Sequence, residues 1–385
     1  MMRGTVTKKG NRWYIVYTIG VLPNGKRKQK WESGFRTKRE AELALAKRLV
    51  EIGTNSYVEP TTLLFKDFVE AWATDKENQV RPTTWRSYSW NLRVYILPQL
   101  GSKKLKDLTA PQIQHFYSVI RQMPRSDGKP GNISERTILH VHLLLHQIFK
   151  RAVKWGYIGM NPCDLVDKPK VEEPDLNVWT LDEGRTFLKF AEANSLYPLF
   201  LLLFTTGMRI GEVLGLRWQD INFDENTLSV TQQVVFVKGG YKIGPPKTKA
   251  GRRTIDINAQ VTKALLDHRI HWNQLRELGG EHFQIDLDLV FCTKKGTPIF
   301  RSNVTKAYNE IVEKAGLKRI RIHDIRHTHA SLLLEQGESI KVVQERIGHE
   351  KADVLLNRYA HVLPRMQRKA VDTFGARLFD TPDSV

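Results

Sequence analysis

The first fifty residues change from a strand pattern to a helix pattern. Aromatic and β-branched residues crowd the stretch 12–19, RWYIVYTI, which is followed by an Asn-Gly pair and a second stretch, KRKQKWES, at 26–33. A candidate strand on either side of Asn-Gly is typical of a β-hairpin. From Thr37 the apolar residues recur at helical spacing among Lys, Arg and Glu. The pattern therefore predicts a small sheet packed by one helix.

The predicted sheet can present one basic face. Because side chains alternate along a strand, Arg12 and Tyr14 should share one face, and Ile15 and Tyr17 the other. Residues 1–60 contain 13 Lys and Arg against 5 Asp and Glu, a net charge of +8. Such a face can bind DNA while the other packs on the helix, although an ordinary solvated basic sheet has the same pattern. The candidate DNA contacts here are Arg12, Tyr14, Lys26, Arg27, Lys28 and Lys30.

Residues 61–166 have the periodicity of a helical bundle. Apolar residues recur every three to four positions in four segments, which Pro and Gly separate. Thr109, before Ala-Pro, is the predicted N-cap of the third helix. Residues 167–176 have no periodicity and are rich in charge and Pro, so they predict an extended linker. The predicted helices span 63–73, 83–96, 110–123 and 134–155.

The remaining residues, 177–385, predict a mixed domain. Helical patterns flank a β region at 227–257, and the chain beyond it is mostly helical. The longest apolar run, 196–206, is too short to span a bilayer and predicts a core helix. The predicted domains are 1–60, 61–166 and 177–385, with 167–176 as the linker.

Composition favours a nucleic-acid partner. The chain carries 60 Lys and Arg against 41 Asp and Glu, a formal net charge of +19, and 41% of its residues are hydrophobic. A folded basic protein of this kind binds DNA or RNA more often than an acidic membrane surface. Cys163 and Cys292 belong to no CxxC pair and are expected to be buried thiols. Because no leader pattern or membrane-spanning run is present, we expect a cytoplasmic protein.

The first group of candidate site residues lies in TTGMRIGEVLGLRW, residues 205–218. Arg209 follows a glycine break at a predicted helix start, where a guanidinium and unpaired backbone N–H groups can meet one phosphate. Glu212, three residues on, lies on the same helical face and can orient Arg209. Taken alone, the pair also fits an ordinary structural ion pair.

The second group is HDIRHTH, residues 323–329. His323 and Arg326 are three residues apart and are therefore neighbours on one helical face. His327 and His329 also fit the role of packing residues. A metal site on His323 and His327 lacks a convincing third ligand, so we expect no metal here.

The third group is His349, after Ile-Gly, followed ten residues later by Tyr359 in RYAH. One tyrosine among eleven more often packs than reacts. The order Arg, Lys, His-x-x-Arg, Gly-His, Tyr nevertheless closely resembles the catalytic domain of the tyrosine recombinases, the phage integrase family. The resemblance covers residues 175–365, and the three-part plan resembles that of lambda-type and conjugative-transposon integrases. It implies a multidomain, mainly α protein with a three-stranded sheet plus helix, a helical core-binding bundle and an α+β catalytic domain.

The resemblance implies a role for each matching residue. Arg209 and Arg326 match the two arginines that bind the phosphate. The family's lysine is expected in the turn between two strands, where Lys247 is the best match and Lys249 the alternative, because sequence does not fix the register of a hairpin. The implied catalytic residues are Arg209, Lys247, His323, Arg326, His349 and Tyr359, with Glu212 in support.

The implied activity is site-specific recombination of double-stranded DNA at core-type and arm-type sites. The reaction passes through a 3′-phosphotyrosyl intermediate and requires no metal, ATP or other cofactor. Four protomers act together, and the tail 365–379 can dock either on a neighbour or in cis. Accessory DNA-bending or excisionase proteins are further expected partners, and a membrane is not. The alternatives are a nicking-closing enzyme like type IB topoisomerases and a DNA-binding regulator without catalysis.

Overall fold

The chain divides into two compact units, residues 1–173 and 174–385. The division falls within the segment for which the sequence predicts a linker, while the boundaries of the three predicted domains stay a prediction. Each unit has a hydrophobic core of its own. The computed structural model describes residues 4–21, 25–53, 62–172, 176–237, 239–348, 350, 371, 372, 374, 375 and 378.

The first unit begins with an antiparallel sheet and one helix. The strands are β1 (Gly4–Lys9), β2 (Arg12–Val21) and β3 (Arg27–Phe35), and they pair in the order β1-β2-β3. Helix α1 (Lys38–Gly53) follows directly. The three-stranded sheet plus helix is the arrangement that the sequence predicts.

One face of this sheet packs on the helix. Ile15 and Tyr17 in the central strand are fully buried and pack with Leu45 of α1. Arg12 and Tyr14 alternate with them along β2 and therefore lie on the opposite, open face. The period-2 pattern in the sequence predicts this division correctly.

The rest of the first unit is helical, around a core rich in aromatic side chains such as Phe65 and Trp72. A π-helical turn at 92–96 continues one helix through Pro98, so the predicted helix 83–96 extends to residue 100. Pro98 is tolerated because it lies in the first turn of the next helical segment. The helices are α2 (Phe65–Glu77), α3 (Pro82–Asn91), α4 (Leu97–Leu100), α5 (Ala110–Arg121) and α6 (Glu135–Lys154).

The second unit has an aromatic centre in its core. The rings of Trp179 and Phe187 lie 5.2 Å apart, and those of Phe187 and Tyr308 lie 5.4 Å apart. The apolar run predicted as a core helix forms a helix over Tyr197–Thr206, α8, whose residues 199–204 are all buried. The helices are α7 (Leu181–Ala191), α8 (Tyr197–Thr206), α9 (Ile210–Leu214), α10 (Ala259–Gly279), α11 (Arg301–Lys314), α12 (Asp324–Gln336) and α13 (Ile340–Ile347).

The strands of the second unit form two separate antiparallel sheets. One contains β4 (Ile221–Asn222), β5 (Thr227–Val230) and β8 (Arg253–Asp256), in the order β4-β5-β8. The other contains β6 (Gln233–Val237) and β7 (Gly240–Gly244). The β6–β7 ribbon is thus inserted between the two long-range partners β5 and β8.

Lys247 lies on the connection between β7 and β8, which belong to different sheets. Strand β8 pairs with β5, because Leu228 and Ile255 face each other across that pair and are both buried. Lys247 therefore lies between two strands, as expected, but these two strands do not pair with each other. The alternative residue Lys249 begins a short 3₁₀ turn on the same connection, so both lysines share one loop.

Both cysteines lie within the described residues. Cys163 and Cys292 are free and buried, as predicted. Burial raises the pKa of the Cys163 thiol to about 12 and that of Cys292 to about 11, so neither forms a reactive thiolate at neutral pH. Across the parts of the chain that the structure describes, no helix is long and apolar enough to cross a lipid bilayer.

Candidate active site

Arg209 stands where helix α8 ends and α9 begins. Gly207 ends α8 in the left-handed conformation with φ 63°, and Arg209 precedes the first turn of α9. Arg209 Nη1 donates to Glu212 Oε1 at 2.7 Å, and its backbone N–H donates to Glu212 Oε2 at 3.0 Å. The predicted contact between the two residues is therefore present. A carboxylate that binds both backbone and guanidinium fixes the direction in which the arginine points.

Arg326 reaches the same segment from helix α12. Its side chain is buried, and Nη1 donates to the carbonyl oxygen of Gly207 at 2.8 Å. Gly207 must be a glycine, because a Cβ there would lie 2.6 Å from His329 Cδ2. The two arginines predicted to bind phosphate thus converge on residues 207–209, although 117 positions separate them in sequence (326 − 209).

His323 lies one residue before α12, close to both arginines. The residue as a whole is exposed, but its ring packs edge-on against that of His327, with the ring centres 5.3 Å apart. Loss of hydration lowers its pKa, and the positive charges of Arg326 and, more weakly, Arg209 lower it further. A histidine with a depressed pKa is neutral at neutral pH, which leaves one ring nitrogen able to accept a proton.

The resemblance implies a catalytic role for His323, and as the general base of DNA cleavage this residue would impose a predictable dependence on pH. A general base is active when neutral, so the rate falls only as the pH drops through the pKa of the folded protein, below the usual value of about 6.5. We expect the acid limb of the cleavage rate, measured at limiting DNA, to have its midpoint below that value. Limiting DNA is chosen because this rate reports the free enzyme.

A variant pair isolates His323 in that profile. His323→Gln should lose the acid limb, whereas His282→Gln, which changes an exposed histidine of the same unit, should retain it. A midpoint at or above the usual histidine pKa in the wild-type protein would contradict a general-base role for His323.

Arg253 in strand β8 is a site residue that sequence reasoning missed. Its side chain is 7% exposed, and Nη2 donates to Glu212 Oε2 at 3.1 Å. Glu212 is 1% exposed and therefore lies between two guanidiniums. Burial alone would raise the pKa of Glu212, but Arg253 and Arg209 together hold it below its usual value. The sequence did contain a signal: Arg253 and the apolar Ile255 are two residues apart in a strand, so both side chains point to the inward face. A charged side chain that points inward needs a partner.

His329 and Arg346 form a second missed contact behind the arginines. His329 Nδ1 lies 2.8 Å from the carbonyl oxygen of Phe204, and Arg346 Nε donates to His329 Nε2 at 3.3 Å. An acceptor at Nε2 requires the neutral tautomer with its proton on Nδ1. Burial and the charge of Arg346 accordingly lower the pKa of His329 to about 3. The packing role suggested for His329 is thus accompanied by specific hydrogen bonds.

The remaining predicted catalytic residues fall into two groups. Lys247 and Lys249 are described, and both are exposed. His349 and Tyr359 lie outside the described residues, as does most of the tail 365–379. The described apolar residues of that tail are exposed: Val371, Phe374 and Leu378.

The candidate DNA contacts of the N-terminal sheet do not all share one face. Arg12 and Tyr14 lie on the open face of the sheet, away from α1. Lys30 pairs across the strands with the buried Tyr17, so it lies on the helix side, and Lys28 has the same parity along β3. Arg27 alternates with Lys28 and has the parity of Trp31, which pairs with Val16, so it lies on the open face. The face assignments therefore single out Arg12, Tyr14 and Arg27.

Three protein-family models match this chain in the order of its predicted parts. They are an "Arm DNA-binding domain" over residues 5–52, a "Phage integrase, N-terminal SAM-like domain" over 64–120 and the "Phage integrase family" over 178–366. A tyrosine recombinase XerC-like protein of Caldanaerobacter subterraneus subsp. tengcongensis is 31% identical over 388 residues, 96% of this chain and 97% of the relative. The chain belongs to the phage integrase family of tyrosine recombinases. The resemblance inferred from the residue order is confirmed.

Other members of this family match over most of the chain. The ICEBs1 integrase of Bacillus subtilis is 24% identical and is aligned with 87% of this chain and 89% of its own length. The Tn1549 transposon integrase, solved in complex with circular intermediate DNA, superposes with a TM-score of 0.66 at 23% identity, over 81% of this chain and 100% of that one. A lambda integrase dimer bound to a COC′ core site superposes with a TM-score of 0.56 at 19% identity, over 77% of this chain and 95% of that one. These likenesses show that the fold is that of the DNA integrases.

Proposed function

We propose that this recombinase is the integrase of a phage or integrative mobile element and that Tyr359 is its nucleophile. The Tyr359 hydroxyl attacks a phosphodiester, the bond to the 5′-oxygen breaks, and a 3′-phosphotyrosine and a free 5′-hydroxyl result. The single observation that carries the proposal is the convergence of Arg209 and Arg326 on residues 207–209, with His323 beside them. The new ester retains the energy of the broken bond, so rejoining requires no ATP.

The two arginines can stabilise the negative charge that develops on the phosphate during attack. Phosphoryl transfer gathers negative charge on the non-bridging oxygens, and donors already oriented in the folded protein stabilise it without reorganisation. Glu212 orients Arg209, and the bond from Arg326 Nη1 to the Gly207 carbonyl orients Arg326. His349 adds a further donor in this proposal. Tyrosine has a pKa near 10, so its proton must be accepted during attack, and neutral His323 is the acceptor.

Lys247 is proposed to protonate the departing 5′-oxygen, and the neighbouring Lys249 provides its matched control. Lys247→Ala should slow cleavage by about 10²–10⁴-fold, the usual contribution of a general acid. A substrate with a 5′-bridging sulfur should restore the rate, because a thiolate leaves without a proton. Lys249→Ala should cleave both substrates at the wild-type rate. If the sulfur substrate rescues Lys249→Ala and not Lys247→Ala, the two assignments are reversed.

The N-terminal sheet is proposed to bind arm-type DNA through its open face. Arg12→Ala should weaken binding to arm DNA and lower the slope of log Kobs against log salt by about one, as expected for one lost phosphate contact. Lys30→Ala removes one positive charge from the face that packs on α1, so it should weaken binding to arm DNA less than Arg12→Ala does. Binding to core-site DNA should be unchanged in both. Equal losses in the two variants would mean that the open face is not the DNA-binding face.

We further propose that the recombinase acts in the cytoplasm as a tetramer that bridges core-type and arm-type sites. Two DNA-binding parts in one chain raise the effective concentration of each for its own site. The exposed Val371, Phe374 and Leu378 support a tail that docks on a neighbouring protomer, with docking in cis as the alternative. Accessory DNA-bending or excisionase proteins belong to the same proposal. A lambda integrase tetramer has been solved on a Holliday junction.

The test of the proposed function is covalent trapping. The protein is incubated with a nicked core-site substrate from which the cleaved 5′-end diffuses away, in the presence of a metal chelator and without ATP. We expect a protein–DNA adduct that resists denaturation. Absence of any adduct would identify a DNA-binding regulator instead, and adducts on DNA of any sequence with relaxation by monomers would identify a topoisomerase-like enzyme.

A further inference from the structure

Arg253 makes three contacts that join separate parts of the candidate active site. Its Nη2 donates to Glu212 Oε2 at 3.1 Å, its Nη1 to the carbonyl oxygen of Gly251 at 3.0 Å, and its Nε to the carbonyl oxygen of Arg346 at 2.6 Å. All three nitrogens of one guanidinium are thus engaged. The side chain is 7% exposed, so these contacts are shielded from water.

Each partner of Arg253 adjoins a different catalytic group. Glu212 orients Arg209. Gly251 ends the short turn that Lys249 begins, four residues after Lys247. Arg346 precedes Gly348, whose carbonyl oxygen accepts from Arg209 Nη2 at 3.4 Å, and His349 is the next residue in the chain.

The packing around Gly348 shows how closely these segments meet. Gly348 has φ 65°, and a Cβ there would lie 2.7 Å from the carbonyl oxygen of Ala250 and 3.0 Å from Arg253 Nη1. The lysine loop, the Arg253 side chain and the turn before His349 are therefore in mutual contact. Such close approach transmits small displacements of one segment to the others.

Only an arginine can make this set of contacts. A guanidinium presents its donors in a planar fork, and here the fork meets one carboxylate and two backbone carbonyls in three directions. A lysine in its place keeps the charge but carries all its donors on one nitrogen. The substitution would therefore retain an ion pair with Glu212 and lose the connection to at least one of the two carbonyls.

We propose that Arg253 is a positioning residue of the cleavage reaction: its guanidinium ties the carboxylate that orients Arg209 to the lysine loop and to the turn that precedes His349. This inference rests on the proposed function. Arg253 acts through other residues, because its three donor nitrogens are occupied by protein acceptors and the side chain is buried. It therefore affects the rate of cleavage at saturating DNA and not the affinity for DNA.

The test compares Arg253→Lys with a matched variant, Arg217→Lys. Arg217 likewise pairs with a buried carboxylate of the same unit, Asp220, at 2.8 Å, but contacts neither Glu212 nor the residues 346–348. Adduct formation is measured at saturating nicked core-site DNA and normalised to the folded fraction. Arg253→Lys should be slower by about 10²-fold, as for a misplacement of about 1 Å, with Kd unchanged. Arg217→Lys should melt at a lower temperature and cleave at the wild-type rate.

A substrate with a 5′-bridging sulfur tests how much of the effect of Arg253→Lys comes from the lysine loop and how much from Glu212 and the turn before His349. This substrate should restore part of the cleavage rate that Arg253→Lys loses, but not all of it, because the lysine loop is only one of the three segments that Arg253 contacts. A wild-type rate in Arg253→Lys, or complete rescue by sulfur, overturns the inference. A deficit of the same size in Arg217→Lys also overturns it, because any lost buried ion pair would then have this effect.

Gly348→Ala disturbs the same contacts from the turn before His349, and it replaces Arg253→Lys as the test if that variant does not fold. Its Cβ displaces the Arg253 guanidinium and the Ala250 carbonyl, so slow cleavage with normal DNA affinity is expected, and a wild-type rate overturns the inference. The wild-type protein is the reference that distinguishes failure of this inference from failure of the proposed function. If it forms no adduct, the proposed function fails; if it forms adducts and Arg253→Lys matches its rate, only this inference fails.

Discussion

Tyr359→Phe is expected to bind core-site DNA with the affinity of the wild-type protein and to form no covalent adduct with it. The substitution removes one oxygen atom, the one that attacks phosphorus in the proposed reaction, and leaves the ring in place. Phosphate binding depends on Arg209 and Arg326, which are unchanged. The measurement is adduct formation on nicked core-site DNA beside a binding titration of the same sample.

Tyr308→Phe is the matched control for this result. Tyr308 lies in the same unit and is buried, and its hydroxyl donates to the carbonyl oxygen of Ile320 at 3.2 Å. Loss of that hydrogen bond should lower the free energy of unfolding by about 1 kcal/mol and leave adduct formation intact. Adducts that persist in Tyr359→Phe would show that another residue is the nucleophile.

Glu212→Gln is expected to have the second largest effect, on both stability and cleavage. Glu212 is 1% exposed and binds Arg209 and Arg253, so a neutral glutamine leaves two guanidiniums close together without their shared anion. Removing one member of a buried charge network typically lowers the free energy of unfolding by about 3–5 kcal/mol. The rate of cleavage should fall as well, because Arg209 loses the carboxylate that orients it.

The pH dependence of unfolding provides an independent check on Glu212. Its pKa in the folded protein lies below the value in the unfolded chain, because Arg253 and Arg209 stabilise the charged form. Its contribution to stability is therefore fully present above the unfolded pKa, about 4.3, and is lost as the pH falls through the lower folded pKa. Glu212→Gln should unfold with a weaker dependence on pH in that acid range than the wild-type protein.

Asp220→Asn is the control for Glu212→Gln. It removes a buried carboxylate that pairs with Arg217 in the same unit, so it should also lower stability, while cleavage per folded molecule stays at the wild-type rate. A wild-type cleavage rate in Glu212→Gln would refute the role of Glu212 in orienting Arg209.

Local patterns in the sequence predict much of the fold. The alternation along β2 assigns Ile15 and Tyr17 to the packed face because side-chain direction in a strand depends only on position. The cap at Thr109 is also local: its backbone N–H donates to Gln112 Oε1 at 3.2 Å, three residues on. Likewise the three-residue spacing of Arg209 and Glu212 correctly predicts their contact.

Contacts between distant segments could not be read from the sequence. Strand β8 pairs with β5, and not with β7 next to it, because burial of Leu228 and Ile255 decides the pairing across an inserted ribbon. The same register brings Arg253 to Glu212, 41 residues away in sequence. The convergence of Arg209 and Arg326 required the family resemblance, since helical spacing alone left each with an ordinary structural interpretation.

The measurement that tests the central claim most directly is identification of the amino acid joined to DNA. The trapped adduct is digested with protease and nuclease, and the remaining nucleotide-bearing peptide is sequenced by mass spectrometry. We expect a 3′-phosphate ester on the side chain of Tyr359, with a free 5′-hydroxyl on the released strand. A nucleotide on any other residue, or a linkage through a 5′-phosphate, would contradict it.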